Sequence, residues 1–412
     1  MKWASFCAVR LRQSLPNDRP VGPAIPLARW AGRQLLQLAE ETGSQRIAAL
    51  SGESLLGERA VLNDFTIPGR QSAGGGCCLY ETIDGWIALN LARPDDRTLL
   101  PALFGDASLN PHLDADIRSA FAAFPSTYLL AQGRDLGLAI ASTEEKPTSP
   151  HIVLMVKGQD VSRGSQDKPL VVDLSALWAG PLAGHLLWLA GADVVKVESR
   201  SRPDAMRKGD PALFALLNQG KASGVVDIST EVGREALTRL LRRADIVIEA
   251  ARPRALHQLG IDADDIIDDR PGLVWLTITG HGVSGAAAEW VGFGDDCGVA
   301  GKLSSALAQV SGAVGFVGDA IADPLTGILA AREAWRHWRG GNSSRIGFSM
   351  SSIVSLAVAE EQARDPNLLR SELAAWTNAA GNPFPDCGLR VPEAALRPLG
   401  ADTEQWLVDA SC

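Results

Sequence analysis

Two carboxylates lie close together in Val317-Gly318-Asp319-Ala320-Ile321-Ala322-Asp323-Pro324, and Leu325-Thr326-Gly327 follows. Asp323-Pro324 in front of an apolar run has the form of a helix N-cap followed by a proline at the first helical position, worth ~1 kcal/mol to the helix. A carboxylate at a helix N-terminus is also held as an anion, and on these residues alone the cap is the reading. Asp319, directly after Gly318, fits a turn. Upstream, Gly74-Gly75-Gly76 cannot be helix or ordinary strand without a large entropic cost, and reads as a flexible connection. Arg200, Arg202, Arg207 and Lys208 follow one β-branched run; Lys221 and Arg252-Pro253-Arg254 lie near others. Such charges are solvated surface by default, but these follow strands, at the edge where open sheets bind ligands.

Other chemistries lack their usual residues. The first strand of the alternating region is not followed by G-x-G-x-x-G, and the sequence contains neither a Walker loop nor a G-x-S-x-G elbow. His185, His257, His281 and His337 are scattered, with no pair at metal-ligand spacing, and read as structural. The six cysteines (Cys7, Cys77, Cys78, Cys297, Cys387, Cys412) show no paired metal spacing and suggest no disulfide scaffold. The expectation is therefore no metal and no permanently bound cofactor.

The elements that must position these residues begin with Leu170-Val171-Val172-Asp173-Leu174, a buried parallel strand by its apolar run. Ala179-Gly180-Pro181 ends the next loop, and a helix is expected over Leu182–Ala190, stopped by Gly191. Asp193–Val197 is a second strand. A membrane span over Leu174–Ala192 is rejected, because Gly180-Pro181 interrupts it and Asp173 and Asp193 flank it. Strands are further expected at Val225–Ile228, Asp245–Glu249 and Leu273–Thr279, with a helix capped by Thr230, a short helix at Asp262–Asp268 and a helix at Pro324–Arg339. This alternation predicts an α/β fold with an open, doubly wound parallel sheet. Before it, Leu27–Glu41 is an amphipathic helix, and Asp84-Gly85 between Cys77–Thr82 and Trp86–Leu91 marks a hairpin.

The 412 residues suffice for two or three domains, and 46% hydrophobic with 21% charged is ordinary for a globular enzyme. A net charge of -9 argues against nucleic acid as a partner. Arg10 and Arg12 fall where a signal peptide needs an unbroken apolar segment, so the expected setting is cytoplasmic, without a membrane partner.

Five segments in order resemble family III coenzyme A transferases, the group containing formyl-CoA transferase, carnitine CoA-transferase and α-methylacyl-CoA racemase. They are Val172–Glu198, Asn218–Asp227, Ala244–Gly260, Gly272–Gly282 and Val317–Ala331. The resemblance implies a Rossmann-like large domain with a smaller α+β domain. It implies an acyl-CoA:carboxylate CoA-transferase in which Asp323 is the nucleophile, working through a mixed anhydride and an aspartyl-CoA thioester. Coenzyme A enters as the thioester substrate and a free carboxylic acid as its partner. The implied CoA-binding positions are Trp178, Arg200, Lys221, Ala251, Arg252 and Gln258, and Gly74, Gly75 and Gly76 become a loop over the site. An acyl-CoA racemase or epimerase, and a non-catalytic CoA-binding subunit, are the alternatives.

Three departures qualify this. Ala250-Ala251 stands where Asn-Phe is common, Gln258 replaces an arginine, and Gly292-Phe293-Gly294-Asp295-Asp296 lacks the histidine of racemase-type members. The segment Ser72–Leu91 resembles the entry to the family's small domain yet precedes the large one. The expected layout is an N-terminal region over 1–157 holding the small domain (about 60–150), a polar linker over 158–168, the Rossmann-like domain over 169–355 and a tail over 356–412 with little regular pattern. A homodimer, or a heteromer with a homologous subunit, is implied, and the rearranged order bears on whether such a dimer interlocks.

Overall fold

In the computed structural model the described residues are 22–164, 167–251 and 254–408. The strands are β1 (Cys77–Glu81), β2 (Trp86–Asn90), β3 (Ala139–Ser142), β4 (Ile152–Lys157), β5 (Leu170–Asp173), β6 (Asp193–Ser199), β7 (Ala222–Val226), β8 (Ile246–Glu249), β9 (Val274–Thr279) and β10 (Ser344–Ser349). Seven of them form one sheet in the order β4-β10-β9-β8-β5-β6-β7, parallel except for β4, which pairs antiparallel with β10. Chain order runs outward from β5 to β7 and then restarts beside β5 at β8, so the sheet is doubly wound with its switch point between β5 and β8.

Successive side chains serve opposite faces. Val171, Val194, Ile246, Ile248, Leu276 and Phe348 face a core filled by helices Ala179–Leu189 and Ala322–Arg339. Val172, Val195, Val247 and Trp275 face the other layer, with helices Glu231–Arg243 and Ala263–Asp269. Helices Ala179–Leu189 and Ala322–Arg339 cross closely because Gly327 has no side chain. A Cβ there would fall 2.6 Å from the Ala179 carbonyl oxygen.

β1, β2 and β3 form a separate antiparallel sheet. One face carries its own core, including Tyr80, Leu89, Phe121 and Ile140, beneath helices Asp114–Phe121 and Ser126–Asp135. The other face (Cys77, Leu79, Ala88, Ala141) lies on Val299, Ala300 and Phe316 of the large unit. The small α+β unit is thus seated on helix Gly294–Ala300.

Several expected boundaries change. The helix after β5 starts at Ala179, three residues earlier than the proline suggested, with Pro181 inside its first turn. The residues before the small unit are not a domain of their own: Ile25, Trp30, Leu35 and Ile67 pack in the core of the large unit. β4 is an edge strand of the large sheet, and the segment after it hydrogen-bonds along the same edge (Val161 N–H to Gly341 O, 2.8 Å), so 158–168 divides no domains. The supposed tail contains helix Pro366–Asn378 and the end of helix Met350–Arg364. Cys7 and Cys412 lie outside the described residues.

Lys221 is buried. Its Nζ donates to Asp173 Oδ2 (2.8 Å), the Pro181 carbonyl (2.8 Å) and Asn218 Oδ1 (3.0 Å), tying the end of β5 to the first turn of the next helix. Burial lowers its pKa to about 8 while Asp173 opposes that shift. Replacing Lys221 by Met would leave a buried carboxylate unpaired. The expected loss is about 3–5 kcal/mol, read by urea denaturation; a loss under about 1 kcal/mol would show that the pair does not hold this corner.

Candidate active site

Asp323 lies in the first turn of helix Ala322–Arg339, whose N-cap is Ile321, so it does not cap its own helix. Its Oδ1 instead accepts the N–H of Ala179, the first residue of the neighbouring helix, at 3.3 Å. From another side comes Gly294, the first residue of helix Gly294–Ala300, whose backbone hydrogen bond also favours the anion. A Cβ on Gly294 would fall 2.1 Å from Asp323 Oδ2 and 2.3 Å from the Ala320 carbonyl oxygen, so only glycine permits this approach. Three helix beginnings converge on one carboxylate.

The loops that deliver these groups are conformationally strained. Leu177 (φ 68) precedes Trp178 and Ala179, and Ala320 (φ 44) precedes Asp323. Left-handed non-glycine residues cost on the order of 1–3 kcal/mol each and persist where the surroundings over-determine them. Here Leu177 N–H is held by Asp204 Oδ1 (3.3 Å) and Ala320 N–H by Asp295 Oδ1 (2.9 Å).

Arg59, from helix Gly52–Leu62, supplies the cation. Its guanidinium is 3.2 Å from Asp319 Oδ1, 5.5 Å from the centre of the Trp178 ring and 5.8 Å from that of Phe65. Asp319 is fully buried, so it belongs to this cluster and not to an exposed turn. Burial pushes Asp319 up to about 7, against the pull of Arg59. Burial likewise pushes Asp323 up to about 7, with Arg59 and the Ala179 N–H opposing, although the residue keeps partial exposure. Asp295 is raised by burial as well.

The glycine loop reaches this cluster from the same chain. A Cβ on Gly74 would fall 2.6 Å from Arg59 Nη2; Gly75 has φ 75; Gly76 has open space beyond Asn90. Ser72 hydrogen-bonds Asp295 at the loop's base. Trp178 is buried with Arg59 across its ring, so it seats the guanidinium. The remaining expected CoA contacts are dispersed. Arg200 is exposed at the end of β6, and Ala251 and Gln258 are exposed after β8. Lys221 is buried with its hydrogen bonds occupied inside the protein, which does not suit the CoA-binding position implied for it. Arg207 is likewise taken, by Glu198 (2.9 Å). Arg252 lies outside the described residues. A cavity of about 480 Å³ beside Arg46, His185 and Arg390 shares no lining residue with the Asp323 cluster.

Sequence reasoning missed Arg59, Asp295 and Gly294. Arg59 carries no local signal, since nothing in its helix foretells a contact with Asp319. Gly294-Asp295 did offer one: a glycine opening a helix beside acidic residues.

Residues 168–346 match the model of CoA-transferase family III. Over 208 residues the chain is 31% identical to the succinate–glutarate CoA-transferase of Agrobacterium fabrum, covering 46% of this chain and 52% of the relative. Over 122 residues it is 37% identical to the formyl-CoA:oxalate CoA-transferase of Streptomyces avermitilis, covering 27% and 29%. The chain spans about half the length of the first and less of the second. The crystal structure of the hypothetical protein Rv3272 from Mycobacterium tuberculosis aligns at 26% identity with TM-score 0.44, over 50% of this chain and 61% of that one. Among the described residues no helix is long and apolar enough to cross a membrane.

The buried carboxylates set a sign for pH-dependent stability. Folded Asp319 and Asp323 titrate near 7 against an ordinary 3.8, so between those values the folded state binds protons that the unfolded state does not. Their contribution to stability is therefore full below about pH 4 and declines as pH rises to about 7. Asp319→Asn and Asp323→Asn should each flatten that decline and raise the melting temperature at pH 8 relative to pH 5. Thermal unfolding at the two pH values checks this; an unchanged pH difference in both variants would contradict the burial argument.

Proposed function

We propose that this chain, whose residues 168–346 match the model of CoA-transferase family III, moves coenzyme A from an acyl-CoA to a free carboxylic acid with Asp323 as nucleophile. The observation that carries the reading is the setting of Asp323: partly exposed, at the meeting of three helix starts, with Arg59 opposing the carboxylates around it. A carboxylate whose pKa lies near 7 is more basic than an ordinary one, hence more nucleophilic, yet still substantially ionised at neutral pH.

In the proposed sequence Asp323 attacks the thioester carbonyl, the C–S bond breaks, and a mixed anhydride and CoA thiolate result. The thiolate then attacks the Asp323 carbonyl of the anhydride, releasing the first acid and leaving an aspartyl-CoA thioester. The acceptor carboxylate repeats both steps in reverse and regenerates Asp323. Charge moves onto an Asp323 oxygen in the two tetrahedral stages in which the Asp323 carbonyl is attacked, by the thiolate and then by the acceptor carboxylate, and there the Ala179 N–H and the Gly294 backbone are already aimed. The transfer itself draws on no metal or redox group. Racemisation, which needs an acid–base pair across the α-carbon, has weaker support, because His281 is buried against Asp296.

Asp323→Ala should abolish transfer with the fold retained, and hydroxylamine added during turnover should modify Asp323 in the parent protein. Mass spectrometry of acyl-CoAs incubated with panels of free acids provides the readout and identifies the substrate pair. Full transfer in the Ala variant would remove Asp323 from the mechanism.

The glycine loop generates a separate expectation. A side chain at position 74 would strike Arg59, and one at position 75 would strain a left-handed backbone. With Gly74 or Gly75 replaced by Ala, the loop should seat less well over the anhydride, which water then reaches. The ratio of acyl-CoA hydrolysis to transfer should rise several-fold; an unchanged ratio would mean the loop does not shield the intermediate.

A further inference from the structure

Behind the Asp323 site lies a second group of side chains that the transfer reaction does not use. His281 follows β9, and Asp296 and Cys297 lie in helix Gly294–Ala300. All three are buried, at 4%, 0% and 0% exposure. His281 Nε2 is 3.8 Å from Asp296 Oδ2, Cys297 Sγ is 3.9 Å from the same oxygen, and the three atoms lie within 4.8 Å of one another.

The hydrogen bonds around His281 and Asp296 turn a lone pair of each inward, whereas the Cys297 thiol donates to the Gly280 carbonyl (3.4 Å), a bond its thiolate would give up. Asp296 Oδ1 accepts the Phe293 N–H (3.0 Å) and the Asn90 side-chain amide (3.2 Å), which leaves Oδ2 facing His281. The His281 ring hydrogen-bonds the Val291 backbone, while its Nε2 has no hydrogen-bond partner. That pattern places the ring proton on Nδ1 and a free lone pair on Nε2. The buried imidazole lone pair faces the carboxyl oxygen at 3.8 Å, beyond hydrogen-bond range, and so leaves between the two atoms a position that a cation would satisfy. Orientation of a metal-binding histidine through its other ring nitrogen, by a backbone carbonyl, is a usual outer-shell arrangement.

Gly292 borders the group. Its backbone is not left-handed, so conformation does not require glycine there. A Cβ would, however, fall 2.7 Å from Cys297 Sγ and 3.0 Å from His281 Nε2, in the region both atoms border. The nearby cation, Arg134, stacks on Trp290 at 3.7 Å and is paired with Glu145 at 2.5 Å.

We propose that His281 Nε2, Asp296 Oδ2 and Cys297 Sγ bind one Zn2+ ion. Imidazole, carboxylate and thiolate together suit zinc among the common divalent ions. Tetrahedral zinc with bonds of about 2.0–2.3 Å separates its ligand atoms by roughly 3.3–3.7 Å, so the two separations from Asp296 Oδ2, 3.8 and 3.9 Å, need to close by up to about half an ångström, and the third, within 4.8 Å, closes with them. Binding releases the Cys297 proton to solvent, and the aspartate and thiolate charges then balance the ion. The role is structural. The ion joins the exit of β9 to the start of helix Gly294–Ala300, on which Gly294 and Asp295 hold Asp323 and Ala320. Asn90 extends the same brace to β2 of the small unit.

The test is the metal content of the full chain purified without chelator and re-equilibrated with zinc, by inductively coupled plasma mass spectrometry. About one zinc per chain is expected. The cobalt-substituted protein should show thiolate-to-cobalt charge-transfer absorption, lost in Cys297→Ser. Asp296→Asn, which keeps the side chain's shape but removes the charged ligand, should lower occupancy at least tenfold. Zinc below about 0.1 per chain with no cobalt absorption in the parent protein overturns the proposal, as does undiminished charge transfer in Cys297→Ser. Each readout is independent of transferase activity, so its failure leaves the reading of Asp323 standing.

Discussion

The hydrogen bond from the Ala179 N–H to Asp323 joins the first turns of two helices that pack side by side under the parallel sheet. It forms only because the helices approach to backbone contact at Gly327, and because Gly294 can enter without a side chain. The strained turns at Leu177 and Ala320 follow from the same demand: each chain must bend sharply to bring a helix start to this point. The apolar layers around them, Leu182, Ile321, Leu325 and Ile328 among others, are the interactions that hold the strain in place.

Electrostatics then shapes who completes the cluster. Asp295, Asp319 and Asp323 are buried close together, and three carboxylates beside one guanidinium cannot all ionise at ordinary carboxylate pKa values. Arg59 comes from residues before the small unit, outside the segment matched to the family. The glycine loop that abuts Arg59 also precedes the sheet in sequence. Parts that precede the sheet in sequence thus meet it in the fold. What brings the small unit to the site is a packed face, Leu79, Ala88 and Ala141 against Val299, Ala300 and Phe316, and such a face is indifferent to the order in which its halves are synthesised.

Strands β5 to β9 were legible because they are short apolar, largely β-branched runs buried in the sheet, whereas β10, with serine, arginine and glycine in its six residues, was not expected. Helix Met350–Arg364 was missed for the opposite reason. It buries residues on several sides, Met350 to Val354 and then Ala357, Val358 and Glu361, so its sequence carries little amphipathic period. The cluster of His281 with Asp296 and Cys297 was invisible in spacing, since the loop from Gly282 to Phe293 separates them and only tertiary folding closes it.

Asp-Pro occurs at three helix starts in this chain, and the comparison isolates what is unusual about Asp323. Asp210 and Asp365 adopt nearly the same backbone (φ -146, ψ 78 and φ -153, ψ 84), place proline at the first helical position, and accept the N–H of Leu213 (3.1 Å) and Leu368 (3.0 Å). These are the caps that the dipeptide predicts. At Asp323 the left-handed Ala320 turns the chain into the helix early, so the helix begins at Ala322 and Asp323 falls inside its first turn. The carboxylate is thereby released from capping and offered to a different helix. Local propensity is overridden here by the packing of Ile321 and Ala322 in the core and by the hold of Asp295 on Ala320. Of the three, the one position where the local rule fails is the one whose carboxylate accepts the first N–H of a helix other than its own.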